Sequence, residues 1–341
     1  MWERLFCFCR KIGNIMSWQP TLTWENAQKR AKILQQIRQF FADRNVVEVE
    51  TPALSLATVT DVHLDAMSCR YNFLSDSAAQ QSQNLYLQTS PEFHMKRLLA
   101  SGYGCIYQIA KAFRHEDAGR HHNPEFTLLE WYRIGFDHFT LINEVAELLQ
   151  QILHCEPPII LTYQEVFIEH VGIDPLTASV HTLLSLIERH GKLSDWLMED
   201  TVDNDTLLQF IFSEIIEPHI GIHAPCFIHL FPKSQASLAK ICPDDKRVAQ
   251  RFECYYKGVE LVNGFHELTD PEIQLQRFQE DNAKRTKLGR QERAIDQQFM
   301  LALSNGLPQC SGVALGIDRL VMLALQSVHI KNVISFTIES A

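Results

Sequence analysis

The sequence predicts an α+β fold, an antiparallel sheet flanked by helices, with a mainly helical insert at about 137–220. Three observations carry this expectation. Strand-like segments succeed one another through short, hairpin-like links. Helix-period segments stand outside them. Strand and helix do not alternate with the regularity of a doubly wound parallel sheet. At 341 residues, 46% hydrophobic and 21% charged, the chain can bury the large core of one sheet-based domain.

In chain order, Ala27, Ala31, Leu34, Ile37 and Phe41 recur at helical spacing from Trp24 to Arg44, with Thr23 placed as N-cap. "NVVEVETPAL" then alternates like a strand and stops at Pro52. Segment 80–90 reads as another strand entering Ser90-Pro91-Glu92, after which "EFHMKRLLASG" is helical and capped by Gly102. "CIYQIAKAFRHE" and "EFTLLEWYRI" are strands with a turn between them. Helix returns at 138–153 and through much of 180–216. Strand patterns resume at "CFIHLFP" and "RFECYYKGVELVNGFHEL". Two helices, near 271–288 and 293–304, precede "SGVALGIDRLVMLAL", a strand and turn running into an apolar helix. Residues 1–16 are expected to be an extension, disordered or a start-site artefact, because Met16 opens a second plausible beginning; 17–341 form the folded domain.

The net charge of −10 leans against a nucleic-acid-binding protein, where Lys and Arg neutralise phosphates, though a local basic groove remains allowed. Nine scattered cysteines with no Cys-x-x-Cys pair suit reduced thiols in the cytoplasm. No apolar run approaches a membrane span, and the apolar start is too short for a secretory signal. Walker loop, dinucleotide-binding glycine motif and nucleophile elbow are all missing, so a bound nucleotide needs a different scaffold.

Two regions can carry chemistry. Carboxylates in "RFECYYKGVELVNGFHE" fall at Glu253, Glu260 and Glu267. A two-residue turn at Lys257-Gly258 sets Tyr255 opposite Glu260, with Glu253 on the same side of the sheet. Two carboxylates so placed suit Mg2+ with phosphates. Glu267 joins that face only through one extra residue, for which Asn263-Gly264 is a natural bulge. The bland alternative is a hairpin with solvated glutamates. The second region is "AFRHEDAGRHHNPEF". His115, His121 and His122 lack the ligand spacing of structural zinc sites, and adjacent histidines on an extended chain face opposite ways. Arg114, at a strand end, suits a bidentate grip on phosphate, and Arg319 stands near the start of the last apolar helix. Two arginines bracketing a carboxylate pair describe a nucleotide-and-magnesium site.

"FRHE", "HHNPEFTLLEWY" and "SGVALGIDRLVML" resemble motifs 2 and 3 of class II aminoacyl-tRNA synthetases, and "FFADRNVVEVETPAL" resembles motif 1, which forms a dimer interface in that family. "RHHNPEFT" and "VELVNGFHEL" bring the chain nearest to the lysyl-tRNA synthetases. Three departures, Ala314 for a typical glycine, "TSPE" for "APE", and no room for an anticodon-reading domain, resemble the stand-alone paralogues of that group.

The resemblance implies a class II synthetase-like catalytic domain over 17–341 that uses ATP and Mg2+. It implies activation of (R)-β-lysine, with α-lysine weaker, ligation to a lysine of elongation factor P, and a homodimer. It counts against tRNA as a partner. A minimal lysyl-tRNA synthetase, an amino-acid amidating ligase and a non-catalytic binding module are the alternatives. Carried over by position, Arg114 would hold the α-phosphate and, with Arg319, act in catalysis. His115, Glu116 and Asn123 would contact the nucleotide, with His122 near the phosphates. Phe126 and Arg319 would sandwich the adenine. Glu260, Leu261 and Gly316 would complete the ATP site, and Glu253 and Glu260 would hold Mg2+. Tyr132 and Glu267 would receive the distal ammonium of the lysine-like substrate, with Ser90, Pro91, Glu92 and Ala314 around the rest of it.

Overall fold

A computed structural model describes residues 18–72, 82–199 and 202–341. The expected extension at 1–16 lies outside the described residues. Helix α1 (Trp24–Ala42) begins where Thr23 Oγ1 accepts from the Asn26 amide at 3.2 Å, and it buries Ile33, Ile37, Phe40 and Phe41. The elements that follow are β1 (Val47–Glu48), β2 (Leu54–Ser55), β3 (Ser68–Asn72), β4 (Ser82–Leu87), α2 (Glu92–Ala100), β5 (Ile106–Phe113) and β6 (Glu125–Ile134). Next come α3 (His138–Leu153), β7 (Ile159–Thr162), α4 (Tyr163–Val171), α5 (Val180–Arg189), α6 (Asn204–Ile211) and β8 (Cys226–Pro232). The chain ends with β9 (Val248–Tyr256), β10 (Val259–His266), α7 (Pro271–Lys287), α8 (Gln297–Gly306), β11 (Cys310–Gly316) and α9 (Ile317–Ala324).

The strands make an eight-stranded sheet in the order β1-β5-β6-β11-β10-β9-β8-β7 and a three-stranded one, β2-β4-β3. Pairing is antiparallel except at the two edges of the large sheet, where β1 runs parallel to β5 and β7 to β8. The strand expected in "NVVEVETPAL" is split at Pro52, which lacks a ladder donor: Val47 and Glu48 pair with β5, and Leu54 pairs with Leu87 of the smaller sheet. The strand expected at 80–90 belongs to the smaller sheet.

Alternation along the strands splits the large sheet into two faces. Leu129, Trp131, Val313 and Leu315 pack with α1, α3 and α9 in the main core. Ile106, Tyr132 and Cys310 point the other way, against Phe93 of α2, Phe278 of α7 and Phe299 of α8. Segment 137–220 divides between cores. Leu141, Val145 and Leu149 of α3 belong to the main core, whereas Tyr163, Phe167, Leu183, Leu207 and Ile211 cluster under β8 and β9.

The β9–β10 hairpin turns at Lys257-Gly258, both at positive φ (52° and 71°), with Tyr255 opposite Glu260. The extra residue is not at Asn263-Gly264. The register slips between Glu260 and Val262, so Leu261 is the bulged residue, and Asn263 and Gly264 pair regularly with Glu253 and Phe252. Leu261 is buried in the main core, which favours placing the extra residue there. Gly264 is glycine for another reason: a Cβ on it would run into the Phe252 ring. The effect on facing is as expected, since the slip returns Asn263, Phe265 and Glu267 to the side of Glu253.

Candidate active site

Register places Glu253, Asn263, Ala314, Glu130 and Gln108 in one row across β9, β10, β11, β6 and β5. The neighbouring row runs Arg251, Phe265, Gly312, Tyr132 and Ile106. Helical side chains cover Ile106, and a cavity of about 690 Å3 opens over Asn263, Ala314, Glu130, Phe265, Gly312 and Tyr132, while Glu253 and Gln108 lie outside its lining. Ser90, Glu92, Arg114, Tyr132, Glu267 and Ala314 all line it, so most of the expected substrate residues share one space. Pro91 does not line it; it is buried at the start of α2.

At the inner end sits a charged cluster. Glu130 takes hydrogen bonds from Ser90 Oγ (2.6 Å) and Tyr132 OH (2.7 Å), and Ser90 Oγ accepts from the Glu92 amide at 3.1 Å. The Lys96 ammonium lies 2.7 Å from Glu92 Oε1 and 2.5 Å from Glu267 Oε2. Burial, with the charge of Glu92, pushes Glu130 up to about 7. Burial raises Glu267 to about 8 against the pull of Lys96. Burial alone would lower Lys96, but Glu267 and Glu92 outweigh it and keep it protonated. Gly312 is glycine because a Cβ there would collide with Tyr132 and Glu267. A polar, net-negative pocket so deep in a domain is suited to a ligand carrying ammonium groups.

The second cluster lies where the loop after β5 meets the start of α9. Arg319 donates to Glu260 O (2.8 Å) and His121 O (3.2 Å), contacts His122 Nε2 at 2.7 Å, and stands 3.6 Å from Glu260 Oε2. Burial and Arg319 lower His122. Arg114 lies over the Phe126 ring at 5.2 Å, and its Nε is buried without a hydrogen-bond partner. The side chains of His115 and Glu116 are exposed, while their amides bond Asp65 O and Arg114 O, both at 2.9 Å. Asn123 is buried and pins the loop: its amide donates to Glu125 O (2.6 Å) and accepts from the Ile338 amide (3.0 Å). Leu261 sends its side chain into the core, so any contact with a nucleotide falls to its backbone. A Cβ on Gly316 would meet Arg319 Cδ at 3.6 Å.

Glu253 is buried, and both its oxygens are engaged, one by Arg251 and the other by the Tyr255 hydroxyl. Burial pushes its pKa up, against the pull of Arg251, and Glu260 adds to the rise. Glu217 joins them: burial, then Glu260 and Glu253, lift it to about 7. Among the described residues, no group of three or more His, Cys, Asp or Glu stands close enough to hold a metal by itself. None of those residues forms a helix long and apolar enough to cross a membrane.

Sequence reasoning missed Glu130, Lys96, Asn263 and Glu217. Glu130 carried a signal, a lone carboxylate inside the apolar run "LLEWY", where an unpaired charge is costly. Lys96 and Glu217 look like ordinary polar positions of helical segments, and only packing distinguishes them.

A family model described as "tRNA synthetases class II (D, K and N)" matches residues 18–340. Proteins named elongation factor P--(R)-beta-lysine ligase from Salmonella typhi and from Salmonella schwarzengrund (strain CVM19633) are each 54% identical to this chain over 331 residues, 97% of it and 100% of each relative. One of the same name from Salmonella dublin is 55% identical over the same length.

Proposed function

This chain belongs to the class II tRNA synthetase family (D, K and N), and from that membership we propose an AMP-forming, ATP-dependent ligase that activates (R)-β-lysine and joins it to the ε-amine of a lysine of elongation factor P. The observation that carries the substrate choice is the trio of half-buried Glu92 and buried Glu130 and Glu267 around one lysine, which leaves room in charge for a diamino acid. α-Lysine meets the same charges with its amine displaced by one carbon and is the weaker substrate.

The substrate carboxylate attacks the α-phosphate of ATP, pyrophosphate leaves, and an aminoacyl-adenylate remains. The acceptor amine then attacks that mixed anhydride, forming the amide and releasing AMP. Neither step needs a protein nucleophile; orientation and charge neutralisation carry the acceleration. We assign Arg114 to the α-phosphate, since its buried Nε has no hydrogen-bond partner among the described residues and it lines the cavity beside the carboxylates. Arg319, with His122, takes the terminal phosphate, and Phe126 stacks on the adenine. His115, Glu116 and Asn123 shape the loop over the nucleotide.

Magnesium fits the donor set here. Glu260, opposite Tyr255, and Glu253, two residues before Tyr255, share one side of the hairpin, and a hard divalent cation there would offset the two charges that, after burial, lift Glu217. Glu260 and Glu253 would hold the ion, Glu260 more readily because Glu253 already serves Arg251 and Tyr255. When bound, the ion neutralises phosphate charge. We also assign a homodimer through the segment around β1, where Val47, Leu54 and Leu56 are exposed. The acceptor's place in translation sets the enzyme in the cytoplasm.

Mass spectrometry of elongation factor P incubated with this protein, ATP, Mg2+ and each lysine isomer tests the reading. The expected outcome is one added lysyl unit, more with (R)-β-lysine, together with pyrophosphate exchange that depends on the amino acid. No exchange with either isomer and no mass gain would sink it.

A further inference from the structure

A lysine ammonium is an unexpected neighbour for a pocket that suits ammonium ligands. Lys96 projects from α2, is 1% exposed, and divides itself between Glu92 and Glu267. Glu130 of β6 and Cys310 of β11 lie within its electrostatic reach, Tyr132 donates to Glu130, and the Phe299 ring of α8 stands 5.9 Å from its nitrogen. Three carboxylates thus share one cation. Without it they could not all ionise, since buried like charges raise one another's pKa. Glu92 and Glu267 each give Lys96 one oxygen, and the other oxygen of Glu267 is buried, lacks a hydrogen-bond partner, and belongs to a residue lining the cavity. A buried acceptor left without a donor is costly, which points to a donor arriving with the ligand.

We propose that Lys96 is the pocket's internal counter-charge and a positioning residue: its ammonium offsets one of three carboxylate charges and holds Glu92 and Glu267 by one oxygen each, so the cavity presents two charges for the two ammonium groups of a diamino acid. The lysine-type reading above supplies the identity of that ligand; the charge balance rests on the geometry. A monoamino acid leaves one buried carboxylate unopposed. A pocket with all three charges free retains a proton that the incoming ligand must displace. Lys96 lessens that competition, because its charge pulls against the rise of Glu130 and Glu267.

Calorimetric titration of the full chain with 1,4-diaminobutane, whose amines have the spacing of those in β-lysine, tests this, because the probe is a dication that requires neither ATP nor turnover. Lys96→Met is expected to bind it at least about tenfold more weakly than the parent near pH 6.5, to release more protons on binding, and to recover parent affinity near about pH 9. Lys96→Arg keeps the charge and is expected to follow the pH dependence of the parent. Equal weakening of Lys96→Met at every pH means that Lys96 only fills space, and overturns the proposal. Tighter binding at every pH means that the ammonium competes with the ligand, and overturns it too. If Lys96→Met does not fold, Lys96→Arg decides: a loss of affinity confined to the acid side rejects the proposal, and the parent pH dependence supports it. Pyrophosphate exchange by the parent reports separately on the ligase reading. A parent without exchange that still shows this pH pattern sinks that reading and leaves the proposal standing.

Discussion

Glu267 closes the inner end of the cavity with one oxygen on Lys96 and one without a partner. Glu267→Gln removes the counter-charge of a buried ammonium, which is expected to lower kcat/KM for the lysine-type substrate by about 2–4 kcal/mol. KM for ATP should stay within about twofold, because the nucleotide meets other groups. Equal effects on both substrates in exchange kinetics would reject the assignment. Ala314 sits in the same row as Asn263 and Glu130 and lines the cavity. Ala314→Gly opens about one methyl group of room, and relative activation is expected to move toward α-lysine by an order of about tenfold. An unchanged ratio of the two isomers would contradict that. Motif spelling made Arg114, Glu267 and Ala314 legible as candidates. It did not reveal that Lys96 stands between Glu92 and Glu267, because that contact joins α2 to the end of β10.

Among the elements, the β9–β10 hairpin shows how far local rules reach. The Lys257-Gly258 turn follows from two residues that accept positive φ. The bulge position does not, since Asn-Gly chemistry suits either a bulge or a close approach, and here a ring on the neighbouring strand uses the glycine. Helix α3 adds a titration of its own. His138, in its first turn, is buried and neither ring nitrogen has a partner, so burial, then the charge of His229, lowers it from 6.5 to about 4. The unfolded imidazole takes a proton below 6.5 while the folded one does not until about 4, so stability falls with pH across that window. The full loss is on the order of 3 kcal/mol. Urea midpoints measured across the window should fall on the acid side, and His138→Leu should flatten the slope. An unaltered slope in that variant would discard the assignment.

For the whole molecule, the buried carboxylate of Asp318 joins three distant segments. Its Oδ2 accepts from the Thr127 amide at 2.7 Å, and its Oδ1 lies 2.7 Å from the Arg30 guanidinium of α1. Thr127 follows Phe126 and Asp318 precedes Arg319, so the same junction holds both residues assigned to the nucleotide. Asp318→Ala leaves the half-buried Arg30 with Val333 O and Thr127 Oγ1 but without its carboxylate, and is expected to cost about 3 kcal/mol in denaturant unfolding. KM for ATP should rise with it while that for the amino acid changes little; a stable variant with unchanged KM for ATP would refute the coupling. The sequence by itself determined the strand and helix order, the turn at Lys257-Gly258 and the family motifs, because periodicity, turn chemistry and motif spelling are local. Only the tertiary structure decided which charges share one space. The row from Glu253 through Ala314 to Gln108, the three carboxylates around Lys96 and the approach of Glu217 to Glu253 depend on sheet register and packing between segments far apart in the chain.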